Sequence, residues 1–95
     1  MKKQIITVKT TDGDLEIQAE VKDIWGIHKT TGIGSKTYSL THIPSGLCIV
    51  RRCRFKKTLI SFLPKVIEGY NKYPNLPNKE FYEFLTDNFD SWEIF

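Results

Sequence analysis

The 95 residues predict an α+β domain: an antiparallel sheet of four to five strands, built as two hairpins, followed by two C-terminal helices packed on one face. Three observations carry this. Apolar residues alternate with period two over the first half of the chain and shift to helical spacing after Phe55. Turn signals, Asp12-Gly13 and Pro44-Ser45-Gly46, each divide two alternating runs. The strand-like runs all precede the helix-like runs and do not alternate with them, as they would in a parallel α/β fold.

The first hairpin is QIITVKTTDGDLEIQAEV. Asp12-Gly13 suits a two-residue type I′ loop, because Asp and Gly tolerate positive φ. That loop sets Val8 opposite Ile17, Ile6 opposite Ala19 and Thr10 opposite Leu15 on one face, with Lys9 opposite Glu16 and Thr7 opposite Gln18 on the other. DIWGIHK, 23–29, reads as a third strand or as an extension of the second. TTGIGS, 30–35, with two Gly and two Thr, reads as a flexible connector. A strand over 36–42 leads to Pro44-Ser45-Gly46, a three-residue loop with Gly in the left-handed position, and 47–53 is the return strand.

Leu59, Ile60, Leu63, Val66, Ile67 and Tyr70 then follow a helical spacing. Pro64 falls inside it and either kinks one helix or starts a second. The run 58–63 is also compatible with a strand. YPNLPN, 73–78, is a turn-rich linker, and Asn78 is placed to cap a last helix. Its apolar stripe is Phe81, Phe84, Leu85, Phe89 and Trp92, with Glu80 and Glu83 near the positive end of the helix dipole.

The length predicts a single domain, residues 1–95, with a modest core that dimerisation would help. Forty per cent hydrophobic residues, 26% charged and twelve aromatics (six Phe, four Tyr, two Trp) fit a packed globular protein and exclude a disordered one. No apolar run approaches the length of a membrane span, and the short run 5–8 does not suit a signal peptide. The expected location is therefore cytoplasmic, in a cell or in a host. Cys48 and Cys53 lie five apart on one predicted strand, too far to bridge, and are expected as free thiols. Charge is uneven: residues 22–57 carry eight Lys/Arg against one Asp, and residues 78–95 one Lys against five Asp/Glu. A basic middle and an acidic end suit a charged partner.

SLTHIPSGLCIVRRCRF, 39–55, gathers His42, both cysteines and three arginines. With His28, these are the ligand types of a zinc site, but neither Cys-x₂₋₄-Cys nor His-x₃₋₅-His occurs, and no metal or other cofactor is expected. A three-residue loop pairs Ile43 with Leu47 and sets His42 opposite Cys48. That couple lacks an orienting third group and an oxyanion hole, so no catalytic residue is assigned and no enzyme is expected. TTGIGSK lacks the glycine spacing of a P-loop and precedes a strand, not a helix.

Arg51, Arg52, Arg54, Lys56 and Lys57 fall within seven residues. Arginines grip phosphate bidentately, and Trp25, Tyr38 and His42 on neighbouring strands are candidates to stack on bases. On a regular strand Arg52 and Arg54 share one face and Arg51 takes the other. The plainer reading is an edge strand guarded by charge. At the far end, Trp92, Ile94 and Phe95 either pack back on the domain or serve dimerisation or partner binding.

YSLTHIPSGLCIV followed by RFKKTLISFL resembles small proteins encoded by phages and prophages, in which a Thr-His-Ile-Pro-Ser/Thr-Gly-Leu hairpin leads into a basic helix. The likeness covers about twenty-five residues. The chain departs from the pattern in its bulky Leu59, Ile60 and Phe62, where those proteins carry an alanine-rich helix. The order strand, strand, helix is also similar to DNA-binding domains in which a three-stranded sheet reads DNA. The first resemblance implies an origin in a mobile element and no particular activity.

The expected function is that of a non-enzymatic accessory protein binding nucleic acid through Arg51, Arg52, Arg54, Lys56 and Lys57, with Tyr38 or Trp25 stacking. The alternative is a protein-binding inhibitor or regulator of a host nucleic-acid-handling or defence protein, of the anti-CRISPR kind.

Overall fold

The computed structural model describes residues 2–30, 36–88 and 93–94. Five strands form an antiparallel meander: β1 (Lys2–Thr10), β2 (Gly13–Lys22), β3 (Trp25–Lys29), β4 (Tyr38–His42) and β5 (Leu47–Cys53). Two helices follow, α1 (Lys56–Lys72) and α2 (Lys79–Asn88), and a two-residue strand β6 (Glu93–Ile94) lies along β5. This is the α+β fold expected from the change of period, with β6 added at the sheet edge. Of the C-terminal candidates, Phe89, Trp92 and Phe95 lie outside the described residues, as do positions 31–35 of the glycine connector.

The β1–β2 hairpin is registered two residues away from the sequence expectation. Val8 pairs with Leu15, Ile6 with Ile17 and Lys9 with Asp14, so the two-residue loop is Thr11-Asp12 and not Asp12-Gly13. The side chain of Thr10 closes this turn: its Oγ1 accepts from the Asp12 amide (3.2 Å) and donates to the Gly13 carbonyl (2.6 Å). Positive φ falls just after the loop, at Gly13 (+111°). A shift of two leaves every side chain on its face, so the apolar pattern survives. β2 and β3 join through Asp23-Ile24, with Asp23 at φ +54°.

The main core lies between the sheet and the helices. Trp25, Ile27, Leu40, Ile49, Val50 and Cys53 from β3–β5 meet Leu59, Phe62, Leu63 and Val66 of α1 and Phe81 and Leu85 of α2. A smaller core of Ile6, Val8 and Ala19 gathers Ile17, Val21 and Ile43. Gly26 makes room for it, since a Cβ there would stand 2.7 Å from Ile6 Cδ1 and 3.5 Å from Ala19 Cβ. The β1 strand reaches the β4–β5 turn, where the Lys9 amide donates to the Gly46 carbonyl at 3.0 Å.

Residues 58–63, ambiguous in sequence, are helical, and Pro64 sits within one continuous α1. Pro64 and Ile60 are both exposed, so the backbone bond that proline removes falls on the solvent side. The buried stripe is Leu59, Phe62, Leu63, Val66 and Gly69. Phe62 thus takes the core position expected of Ile60, which is 39% exposed. Asn78 caps α2 as expected, its Oδ1 accepting from the Glu80 amide at 2.9 Å.

Candidate nucleic-acid interface

β5 is irregular, and its irregularity sets the geometry of the basic segment. The ladder with β4 runs Tyr38↔Cys53, Leu40↔Val50, Thr41↔Cys48 and His42↔Leu47. Two residues, Arg51 and Arg52, therefore stand opposite Ser39 alone, and Ile49 is an extra residue beside Val50. Ile49 and Val50 are both buried in the core, while Arg51 and Arg52 are both exposed. This corrects the simple alternation expected for the arginines. Arg52 does not share the face of Tyr38, which packs against the helix-side core through the Tyr38↔Cys53 row.

The bulge leaves the Arg51 carbonyl out of the regular ladder, and hydroxyls take it up. Ser39 Oγ and Thr30 Oγ1 (3.0 Å) both donate to it. Thr37 Oγ1 donates in turn to Thr30 Oγ1 at 2.8 Å. This cluster holds the backbone beneath the two arginines. Beyond Cys53 the chain bends at Arg54 and enters α1 through Phe55, with Arg54, Phe55 and Lys57 exposed. Lys56 is drawn aside: its Nζ lies 2.9 Å from Glu20 Oε2 on β2, which raises the lysine pKa and lowers that of the carboxyl.

The stacking candidates sit elsewhere, and His42, 5% exposed, is withdrawn from that role by its burial. Trp25 is 3% exposed, edge-on to Tyr70 at 5.3 Å between ring centroids, and tilted against His42 at the same distance. Burial against α1 removes it from any surface a base can reach, so its expected stacking role is withdrawn. Tyr38 is half-buried against the core. The aromatic ring that does stand in the basic segment is Phe55, 61% exposed. It is not among the residues expected from sequence, where it stands as the last apolar residue before a helix. The available signal is a phenylalanine with cations on both sides, at a helix N-cap position where Ser, Thr, Asp or Asn is usual.

The histidines and cysteines separate. The β4–β5 loop holds four residues, 43–46, because Gly46 at φ +73° donates its amide to the His42 carbonyl (2.9 Å). This one-residue difference from the expected loop places Thr41, not His42, opposite Cys48, and so puts His42 and Cys48 on opposite faces. His42 joins the helix side, with Nδ1 2.7 Å from Ser45 Oγ and Nε2 3.2 Å from Tyr70 OH. His28 lies on the other side. Its Nδ1 donates to the Lys29 carbonyl at 2.7 Å, so in the neutral ring Nε2 accepts from Thr41 Oγ1, also at 2.7 Å. Among the described residues no three His, Cys, Asp or Glu side chains gather as metal ligands.

His28, Ser39, Cys48 and Arg51 line a groove of about 700 Å³ between the end of β1 and β5. Burial pushes the Cys48 thiol up to about 11 and raises that of Cys53 as well. At pH 7.5 only about one Cys48 in a few thousand is then thiolate. Both thiols are free, and both are expected to alkylate more slowly in the folded protein than in denaturant, Cys48 by about 100-fold. Timed iodoacetamide labelling read by mass spectrometry checks this, and rapid labelling of the folded chain would contradict it.

Among the described residues no helix is long and apolar enough to cross a membrane. Compared with known proteins, the chain matches no family model, no curated protein and no solved structure.

Proposed function

We propose that the protein binds nucleic acid through the exposed basic segment at the end of β5 and the start of α1. The observation that carries this reading is the bulge that presents Arg51 and Arg52 side by side opposite Ser39, with Arg54 and Lys57 exposed a few residues on. Guanidinium groups on a braced backbone suit phosphate, which they grip through paired N–H donors. The first turn of α1 contains no acid to compete for them. Acids concentrate instead at the β1–β2 tip (Asp12, Asp14, Glu16) and along α2 (Glu80, Glu83, Asp87). Of the described acids, Glu20 pairs with Lys56, and in the backbone register position 93 of β6 stands opposite Arg52. An accessory role of this kind also fits the resemblance to phage and prophage proteins.

Binding of a fluorescent oligonucleotide, followed by anisotropy, tests the reading. Affinity is expected to fall steeply as salt rises from 50 to 200 mM, because each neutralised phosphate releases a counterion. Replacing Arg51, Arg52 and Arg54 with alanine is expected to lower the slope of log K against log salt by about 1 for each phosphate no longer neutralised. No binding at low salt, or a triple variant that binds as the parent does, would overturn the proposal. Retention of a protein partner from lysate after nuclease treatment, with no nucleic acid bound, would instead favour the inhibitor reading.

A further inference from the structure

The basic segment contains one exposed ring, and that ring bears on which form of nucleic acid the segment takes. Phe55 is 61% exposed and belongs to neither core. It occupies the N-cap position of α1 with extended backbone (φ −123°, ψ 131°), and its carbonyl accepts from the Leu59 amide at 3.2 Å. The side chain takes no part in capping, so the position asks only for an extended residue. A phenylalanine left in water here gives up the stabilisation that burial would bring.

Among the described residues the other large apolar side chains left exposed are Ile5, Leu15 and Ile60. They are aliphatic, and among the described residues Phe55 is the exposed one with a flat π-face. Its neighbours in the chain are Arg54 and Lys56, with Lys57 next and Arg51 and Arg52 on the strand before it. An apolar protein partner would have to desolvate these charges to reach the ring. A polyanion with flat apolar faces would not. Single-stranded nucleic acid has that chemistry: phosphates for the guanidinium and ammonium groups, and unpaired bases to stack on an aromatic ring. In a duplex the base faces are already stacked on one another and present only phosphates and groove edges.

We infer that Phe55 is a stacking platform that makes the basic segment selective for single strands over duplex. The inference rests on the nucleic-acid reading above. The test uses the full chain with a 15-nucleotide oligo(dT), an oligo(U) of the same length, and a mixed-sequence duplex. Phe55→Leu keeps an apolar side chain at the position and removes the π-face. It is expected to weaken binding to oligo(dT) or oligo(U) about 10-fold while leaving duplex affinity within about 2-fold. The two oligomers separate a preference for deoxyribose from one for ribose. In a Phe55→Trp variant, single strand is expected to quench tryptophan fluorescence beyond any quenching in the parent, and duplex is not.

Equal affinity for single strand and duplex, with no effect of Phe55→Leu and no added quenching in Phe55→Trp, would overturn the inference. If the arginine variants still bound more weakly in that case, the nucleic-acid reading would stand without it. Failure of the parent chain to bind any of the three probes at low salt would overturn both. Circular dichroism confirms that each variant is folded before it is scored.

Discussion

Replacing Phe81 with alanine is expected to cost about 3–5 kcal/mol of stability. A domain of this size has a total of about 5–15 kcal/mol, so the melting temperature should fall by more than about 10 °C. Phe81 is completely buried and edge-on to Tyr70, with ring centroids 6.3 Å apart, and it lies tilted against Tyr82 at 5.7 Å. It and Leu85 are the α2 side chains in the main core. A ten-residue helix is not stable alone in water, so α2 exists because these side chains dock it. The docking is close: a Cβ on Gly69 of α1 would stand 2.7 Å from Phe84 Cδ1 and 3.3 Å from Phe81 Cδ1. With the helices this near, a cavity at Phe81 cannot collapse without moving one of them. Urea denaturation of Phe81→Ala beside the exposed-site variant Glu83→Ala checks the prediction. A loss below about 1 kcal/mol for Phe81→Ala would show that α2 is not held in this way.

Stability is also expected to fall on acidification below the ordinary histidine pKa of about 6.5. Burial lowers the pKa of both His28 and His42, since charging either ring means desolvating a cation. For a folded pKa below the unfolded value, the unfolded chain binds more protons as pH falls. The stabilisation is therefore complete above about pH 6.5, declines as pH drops toward the lowered folded values, and levels off beneath them. Glu20, whose pKa is lowered by Lys56, acts in a separate window below its ordinary value of 4.5. Cys48, in the groove beside His28, does not titrate in either window. Denaturation midpoints at pH 7.5, 6.5 and 5.5 should decline for the parent chain. The decline should be much reduced in a His28→Gln/His42→Gln double variant compared with its own stability at pH 7.5. A parent midpoint that does not change from pH 7.5 to 5.5 would contradict this account.

Much of the fold is legible in the residues alone. The alternation over β1 and β2, the change of period after Phe55, the Asn78 cap and the left-handed Gly46 all appear where the residues place them. These are local properties, set by backbone preference and side-chain spacing over a few positions. The candidate site is legible as a charge cluster but not as a surface. Nothing within 51–57 reveals that β5 carries an extra residue opposite Ser39, because a bulge is a relation between two strands. Trp25 and Phe55 are both aromatic neighbours of polar residues in sequence, yet one is 3% exposed and the other 61%.

Periodicity, turn chemistry and capping set the two hairpins, the helices after them and their order along the chain, while the helical state of 58–63 and the pairing of β6 come from tertiary packing. The registers of the two hairpins, the face of each arginine and the choice of aromatic ring that meets solvent depend on segments distant in sequence coming together. The β1–β2 turn closes on the Thr10 hydroxyl, and the β4–β5 turn closes four residues long through Gly46, whose carbonyl also receives the Lys9 amide from a strand more than thirty positions away. A register shifted by two preserves every face, and one shifted by one exchanges them. So the first hairpin keeps its apolar side in a register two residues from the expected one, while the second separates His42 from Cys48.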